Sequence, residues 1–82
     1  MAWKTSDITQ AAVLDAVVKS QGPVGTPYPF ELLSSTYPGA PDKVICAALW
    51  REERKGTVEP RSDIHGTVYL TPKGRQIYEA LQ

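Results

Sequence analysis

Glycine and proline cut this chain into short pieces, and that punctuation limits what it can fold into. Gly22-Pro23, Pro38-Gly39-Ala40 and Gly56 each follow a run with helical character, and Pro72 opens another. Proline lacks the N–H that continues a helix, and glycine tolerates the left-handed conformation in which helices end. Every helix is therefore held to about four turns or fewer. The seven prolines and six glycines are scattered as punctuation and form no linker, repeat or low-complexity run.

The pieces between these marks follow a legible order. The spacing predicts a first helix over about 7–21. Asp7 and Gln10 are spaced as a capping box, and Ala11, Leu14, Val17, Val18 and Gln21 recur on one helical face. Residues 24–26 read as a short extended stretch, after which Thr26 is placed to cap a second helix, over about 28–37. Proline suits the first turn of that helix, and Phe30, Leu33 and Tyr37 are its candidate inward residues. A third helix is expected from Pro41 to Lys55 with Gly56 as its stop. Thr57 to Arg61 and Thr67 to Leu70 read as strands of a hairpin spanning about 57–70, with Pro60 marking an edge or an early end. Thr71 caps a last helix over about 72–81, with Pro72 in its first turn and an apolar face of Ile77 and Leu81.

Length and composition narrow the class. An 82-residue chain with 41% hydrophobic and 22% charged residues fits one globular domain, here residues 1–82, with a modest core. Cys46 is the single cysteine, so no internal disulfide forms, as suits a reducing compartment. No run reaches the roughly 18 apolar residues that a membrane span needs, and residues 1–7 lack the apolar stretch of a signal peptide. A cytoplasmic protein is expected. Nine basic residues balance nine acidic ones. That balance argues against indiscriminate nucleic-acid binding and makes the distribution of charge the informative quantity.

The third helix carries the functional signal. At about 100° per residue, Ile45, Ala48, Leu49 and Glu52 fall on the core side, with Glu52 at its edge. Lys43, Ala47, Trp50, Arg51 and Arg54 fall opposite, and Asp42 and Glu53 share a flank. A helix fits the major groove of B-DNA, where arginine and lysine reach guanine edges or phosphates. A mixed-charge face is equally the ordinary solvated surface of a small protein. Trp50 either packs against the hairpin or Trp3, or marks a contact surface.

Other chemistry finds little support. His65 has no cysteine or histidine at zinc spacing, so no metal is expected. Cys46 lacks an evident base and reads as a small packed side chain. Ser34-Ser35-Thr36 does not form a nucleophile elbow, and Gly22, Gly25 and Gly39 do not form a phosphate loop. Neither an enzyme nor a cofactor is expected.

Helix, helix, helix, strand, strand, helix is the α+β order of a winged helix-turn-helix domain. Two passages strengthen the likeness. Residues 49–60, LWREERKGTVEP, resemble the stretch that leaves a winged-helix recognition helix. Residues 68–75, VYLTPKGR, resemble the leucine-threonine-proline-lysine-glycine segment that follows the wing in MarR-like and PadR-like bacterial regulators. The motifs cover about the last forty residues, and the element order covers the whole chain, as in a small stand-alone version of the domain. The resemblance implies a recognition helix in the major groove, a wing on the backbone or minor groove, and commonly a homodimer. Carried onto this chain, it points to Lys43, Ala47, Trp50, Arg51 and Arg54 on the helix, and to Arg61 and His65 around the wing.

The leading expectation is sequence-specific binding of double-stranded DNA in transcriptional or phage-type regulation. Two copies on a palindromic site would supply the base contacts that one small domain lacks. The competing expectation is a protein-interaction module. Trp50 and the tyrosines Tyr28, Tyr37, Tyr69 and Tyr78 would anchor a protein partner, since aromatic residues are favoured at interfaces. A third reading makes the chain a structural subunit of a larger assembly.

Overall fold

A computed structural model of the chain describes residues 2–21, 27–60 and 68–81. Within them lie four helices and a two-stranded antiparallel sheet, an α+β arrangement. The helices are α1 (Gln10–Ser20), α2 (Pro29–Thr36), α3 (Asp42–Lys55) and α4 (Pro72–Ala80). The strands are β1 (Val58–Pro60) and β2 (Val68–Leu70). Their register pairs Val58 with Leu70, Glu59 with Tyr69 and Pro60 with Val68. The extended stretch expected at residues 24–26 and the Thr26 cap lie outside the described residues, as does the hairpin tip.

The chain enters α1 differently from the expectation. Asp7 does not cap the helix: its Oδ2 accepts the Lys4 amide at 2.8 Å and closes a single 3-10 turn, Thr5–Asp7. Thr9 is the cap, with its Oγ1 accepting the Ala12 amide at 3.2 Å. Gln10 is freed from capping, and its side chain turns to Glu52. The expected apolar stripe also shifts. Ala11 and Gln21 are exposed, whereas Val13 and Ala16 are buried beside Leu14 and Val17. The reason is that α1 lies between two apolar clusters and must bury a wider arc than one stripe provides.

One cluster joins Ile8, Val13, Ala16, Leu33, Val44, Ile45 and Ala48, and so fastens α1, α2 and α3 together. Trp3 and Tyr37 close its rim edge to face, with ring centroids 6.2 Å apart. Leu33 is the buried member that α2 contributes, while Phe30 and Tyr37 are half-buried. The other cluster joins Leu14, Val17, Val58 and Leu70, and so fastens the hairpin to α1. Ile77 and Tyr78 of α4 pack on it. Leu81, expected on the same face as Ile77, is 53% exposed. Tyr78 fills that role, and its hydroxyl donates to Asp15 at 3.0 Å.

The segment after the hairpin is a joint, and each of its residues has a mechanical task. Leu70 is buried in the second cluster. The Thr71 hydroxyl accepts the Gly74 amide at 3.1 Å, capping α4, and donates to the Gly56 carbonyl at 2.5 Å. Pro72 occupies the first turn, where a missing N–H costs nothing. Lys73 Nζ donates to the Lys55 carbonyl at 2.7 Å, satisfying an orphan group at the end of α3. Gly74 packs so close to Thr57 that a Cβ there would stand 2.0 Å from the Thr57 carbonyl oxygen.

Candidate nucleic-acid interface

The geometry of α3 is fixed from its C-terminal end. Gly56 adopts φ +77, its amide bonds the Glu53 carbonyl at 3.0 Å, and the Thr57 amide bonds the Glu52 carbonyl at 3.1 Å. This is a Schellman termination, in which residues three before and two after the helix end usually make an apolar contact. Here that pair is Glu52 and Thr57, and the contact is polar. The Thr57 hydroxyl lies 2.9 Å from Glu52 Oε1 and 3.0 Å from the Glu52 carbonyl, which share its single proton.

Glu52 is fully buried, at 0% exposure, yet well supplied with donors. Gln10 Nε2 donates to Oε1 at 2.9 Å, and Arg51 Nε donates to Oε2 at 2.8 Å. Burial pushes its carboxyl up. The bonds from Gln10, Arg51 and Thr57, with the charge of Arg51, outweigh that push and hold it below the usual glutamate value. A buried carboxylate with this many partners ties the start of α1, the end of α3 and the start of β1 into one unit.

Arg51 belongs to this unit, which corrects its expected place on the outward face. Its side chain is 24% exposed. Besides the bond to Glu52, Nη1 donates to the Thr5 carbonyl at 3.2 Å and Nη2 to the Ile8 carbonyl at 2.9 Å. The 3-10 turn ahead of α1 packs along that flank of α3. A helical projection of α3 alone contains no information about a neighbour thirty-five or more residues away in sequence. Arg51 is thus spent on internal carbonyls.

The remaining helix residues of the expected set do converge. Lys43, Ala47, Trp50 and Arg54 are spaced by four, three and four, which places them within about 60° of arc, opposite Ile45, Ala48 and Glu52. Lys43 and Arg54 are exposed, Ala47 is half-buried, and Trp50 is 59% exposed. Among the described residues, Trp50 is a buried or partly buried member of neither cluster. Among the described residues, neither the Lys43 nor the Arg54 side chain has a hydrogen bond or ion pair. Asp42 and Glu53 stand about 90–110° around the helix from the centre of this stripe. The stripe therefore has cations at its two ends and an apolar centre. Arg61 and His65, expected around the wing, lie outside the described residues.

The hairpin follows α3 directly and offers Glu59 and Tyr69 on its exposed face, joined by a 2.6 Å bond from the Tyr69 hydroxyl to Glu59. Cys46 is half-buried on the flank of α3. Among the described residues, no three His, Cys, Asp or Glu side chains gather as a metal site, and no helix is long and apolar enough to cross a membrane. Sequence reasoning missed the support beneath the stripe, namely Gln10, Arg51, Glu52 and Thr57. The available signal was an acid and a threonine at the two Schellman positions where an apolar pair normally stands. No protein-family model, curated protein or solved structure matches this chain.

Proposed function

We propose that this chain is a winged helix-turn-helix domain that binds duplex DNA, with α3 in the major groove and the hairpin as its wing, in a regulatory role. The observation that carries the reading is the α3 stripe. Lys43, Trp50 and Arg54 project from one outward face while the opposite face is locked by Glu52. An α-helix of about 10–12 Å diameter fits a major groove about 12 Å wide. A short turn at residues 37–41 joins α2 to α3, as in a helix-turn-helix pair. The zero net charge fits a binder that relies on a local stripe rather than on a basic surface. Two copies acting on a palindromic site would compensate for the small contact area of one.

The test is selection from a pool of random duplex DNA, followed by affinity measurements across a salt series. A recovered motif, with affinity falling as salt rises, is expected. Lys43→Ala and Arg54→Ala should each reduce the salt slope by about one. Folded protein with no salt-dependent DNA binding refutes the reading. It would transfer the surface to the alternative, a protein partner held by Trp50, since the exposure of that ring also suits an interface anchor.

A further inference from the structure

The order of chemistry along the α3 stripe goes further than DNA binding in general. Resting on the major-groove reading above, we infer that Trp50 reads the C5-methyl group of thymine, so that the recognised site contains thymine at the position facing the middle of α3. Lys43 and Arg54 are eleven residues apart, which separates their Cα atoms by about 16 Å along the helix. That exceeds the roughly 12 Å width of the groove. A helix laid across the groove with these two residues at its ends therefore brings each flexible cation to a phosphate strand, on opposite sides. The residues left over the base edges are Ala47 and Trp50.

Those two side chains offer little hydrogen bonding. Alanine has none, and tryptophan has one donor, the indole N–H, and no acceptor. The bidentate readout that arginine gives guanine, or asparagine gives adenine, is beyond them. The base-pair edges carry one apolar group in the major groove, the thymine methyl. A large exposed indole beside a methyl side chain is complementary to that group. Arg51 could have supplied guanine readout from the same helix, but its guanidinium is occupied by Glu52, Thr5 and Ile8. The acids Asp42 and Glu53 lie off the stripe and do not set the central chemistry.

The experiment replaces thymine by uracil in the duplex recovered by selection. This removes the methyl and leaves every hydrogen-bonding group in place. Loss of about fourfold in affinity per contacted methyl is expected, the equivalent of leaving one buried methyl group unmade. The loss should concentrate at one or two positions per half-site. In Trp50→Ala the ratio of thymine to uracil affinity should fall to about one, while the salt slope set by Lys43 and Arg54 is retained. Trp50 is mostly exposed, so this variant keeps the fold, which its circular dichroism checks. Salt-dependent binding that is equal for thymine and uracil, or a thymine preference that survives Trp50→Ala, overturns the inference while leaving DNA binding intact. Absence of DNA binding altogether overturns both.

Discussion

Gly74→Ala pits helix propensity against packing, and the two give opposite signs. Gly74 is the third residue of α4. Alanine is favoured over glycine by about 0.8–1.0 kcal/mol inside a helix. The added Cβ, however, would stand 2.0 Å from the Thr57 carbonyl oxygen and 2.8 Å from its carbonyl carbon. Both are backbone atoms, and Thr57 is held by the Schellman bond and by the Thr71 amide, which donates to its carbonyl at 3.0 Å. The joint must therefore open. Overpacking of this kind costs about 1–3 kcal/mol. Weakening the bonds from Thr71 to Gly56 and from Lys73 to Lys55 adds about 0.5–1.5 kcal/mol each. After subtracting the propensity gain, the net loss is about 1–5 kcal/mol, a large part of the 5–15 kcal/mol typical of a whole domain. For a chain this size each kcal/mol of that loss lowers Tm by about 4–8 °C. Urea unfolding followed by far-ultraviolet circular dichroism, with a thermal melt beside it, measures the change. A variant as stable as the parent, or more so, would falsify the close docking of α4 on Thr57.

Four further variants have expected outcomes. Arg51→Ala should destabilise the fold by about 2–3 kcal/mol, since it strips a charged donor from buried Glu52 and two carbonyls. The paired variant Lys43→Ala with Arg54→Ala should stay within about 0.5 kcal/mol of the parent. Equilibrium unfolding separates the two cases. Glu52→Gln should destabilise at neutral pH, because its amide N–H₂ cannot replace the acceptor that Arg51 Nε uses. The folded carboxyl titrates below its ordinary value of 4.5, so its contribution is present above that pH and fades as pH falls through the folded value. The stability gap between parent and Glu52→Gln should accordingly narrow in acid, and a gap constant from pH 7 to pH 3 contradicts the assignment. Thr71→Val should cost about 1–2 kcal/mol through loss of the α4 cap and the bond to Gly56, again read by urea unfolding.

Elements written in local chemistry were legible in the sequence. Gly56 ends α3 because the left-handed φ of +77 favours glycine, and Thr71 caps α4 because its hydroxyl reaches the Gly74 amide. Both depend on residues within a few positions of one another. What was not legible depended on distance along the chain. Thr9 rather than Asp7 caps α1 because the preceding segment folds into a 3-10 turn, and that turn is fixed against α3 by Arg51, more than forty positions away. The same contact took Arg51 off the outward face. The expected Ala11–Gln21 stripe missed Val13 and Ala16, since periodicity finds one apolar face and α1 serves two clusters. Four of the five helix residues expected at the interface remain on or beside the exposed stripe, because among the described residues no hydrogen bond or ion pair draws their side chains to another segment.

Of the two passages that suggested a family likeness, residues 49–60 contain Trp50 and Arg54, whereas residues 68–75 are separate from the residues proposed for function, and this changes what the second passage is worth as evidence. Leu70, Thr71, Lys73 and Gly74 are bound up with Gly56, Thr57 and Lys55, so their pattern specifies how a hairpin and a following helix dock on the end of α3. Any chain with that joint gains from the same residues, whatever its outer face contacts, since fold and function are separable. The likeness of residues 68–75 therefore bears on architecture. The proposed function rests on Lys43, Ala47, Trp50 and Arg54, whose side chains make no hydrogen bond or ion pair among the described residues. In the proposed reading, the indole left exposed on the face opposite a fully satisfied Glu52 makes its contact outside the chain. Thymine-to-uracil replacement and the salt slope test the proposed contact from its two sides, the apolar centre and the charged ends.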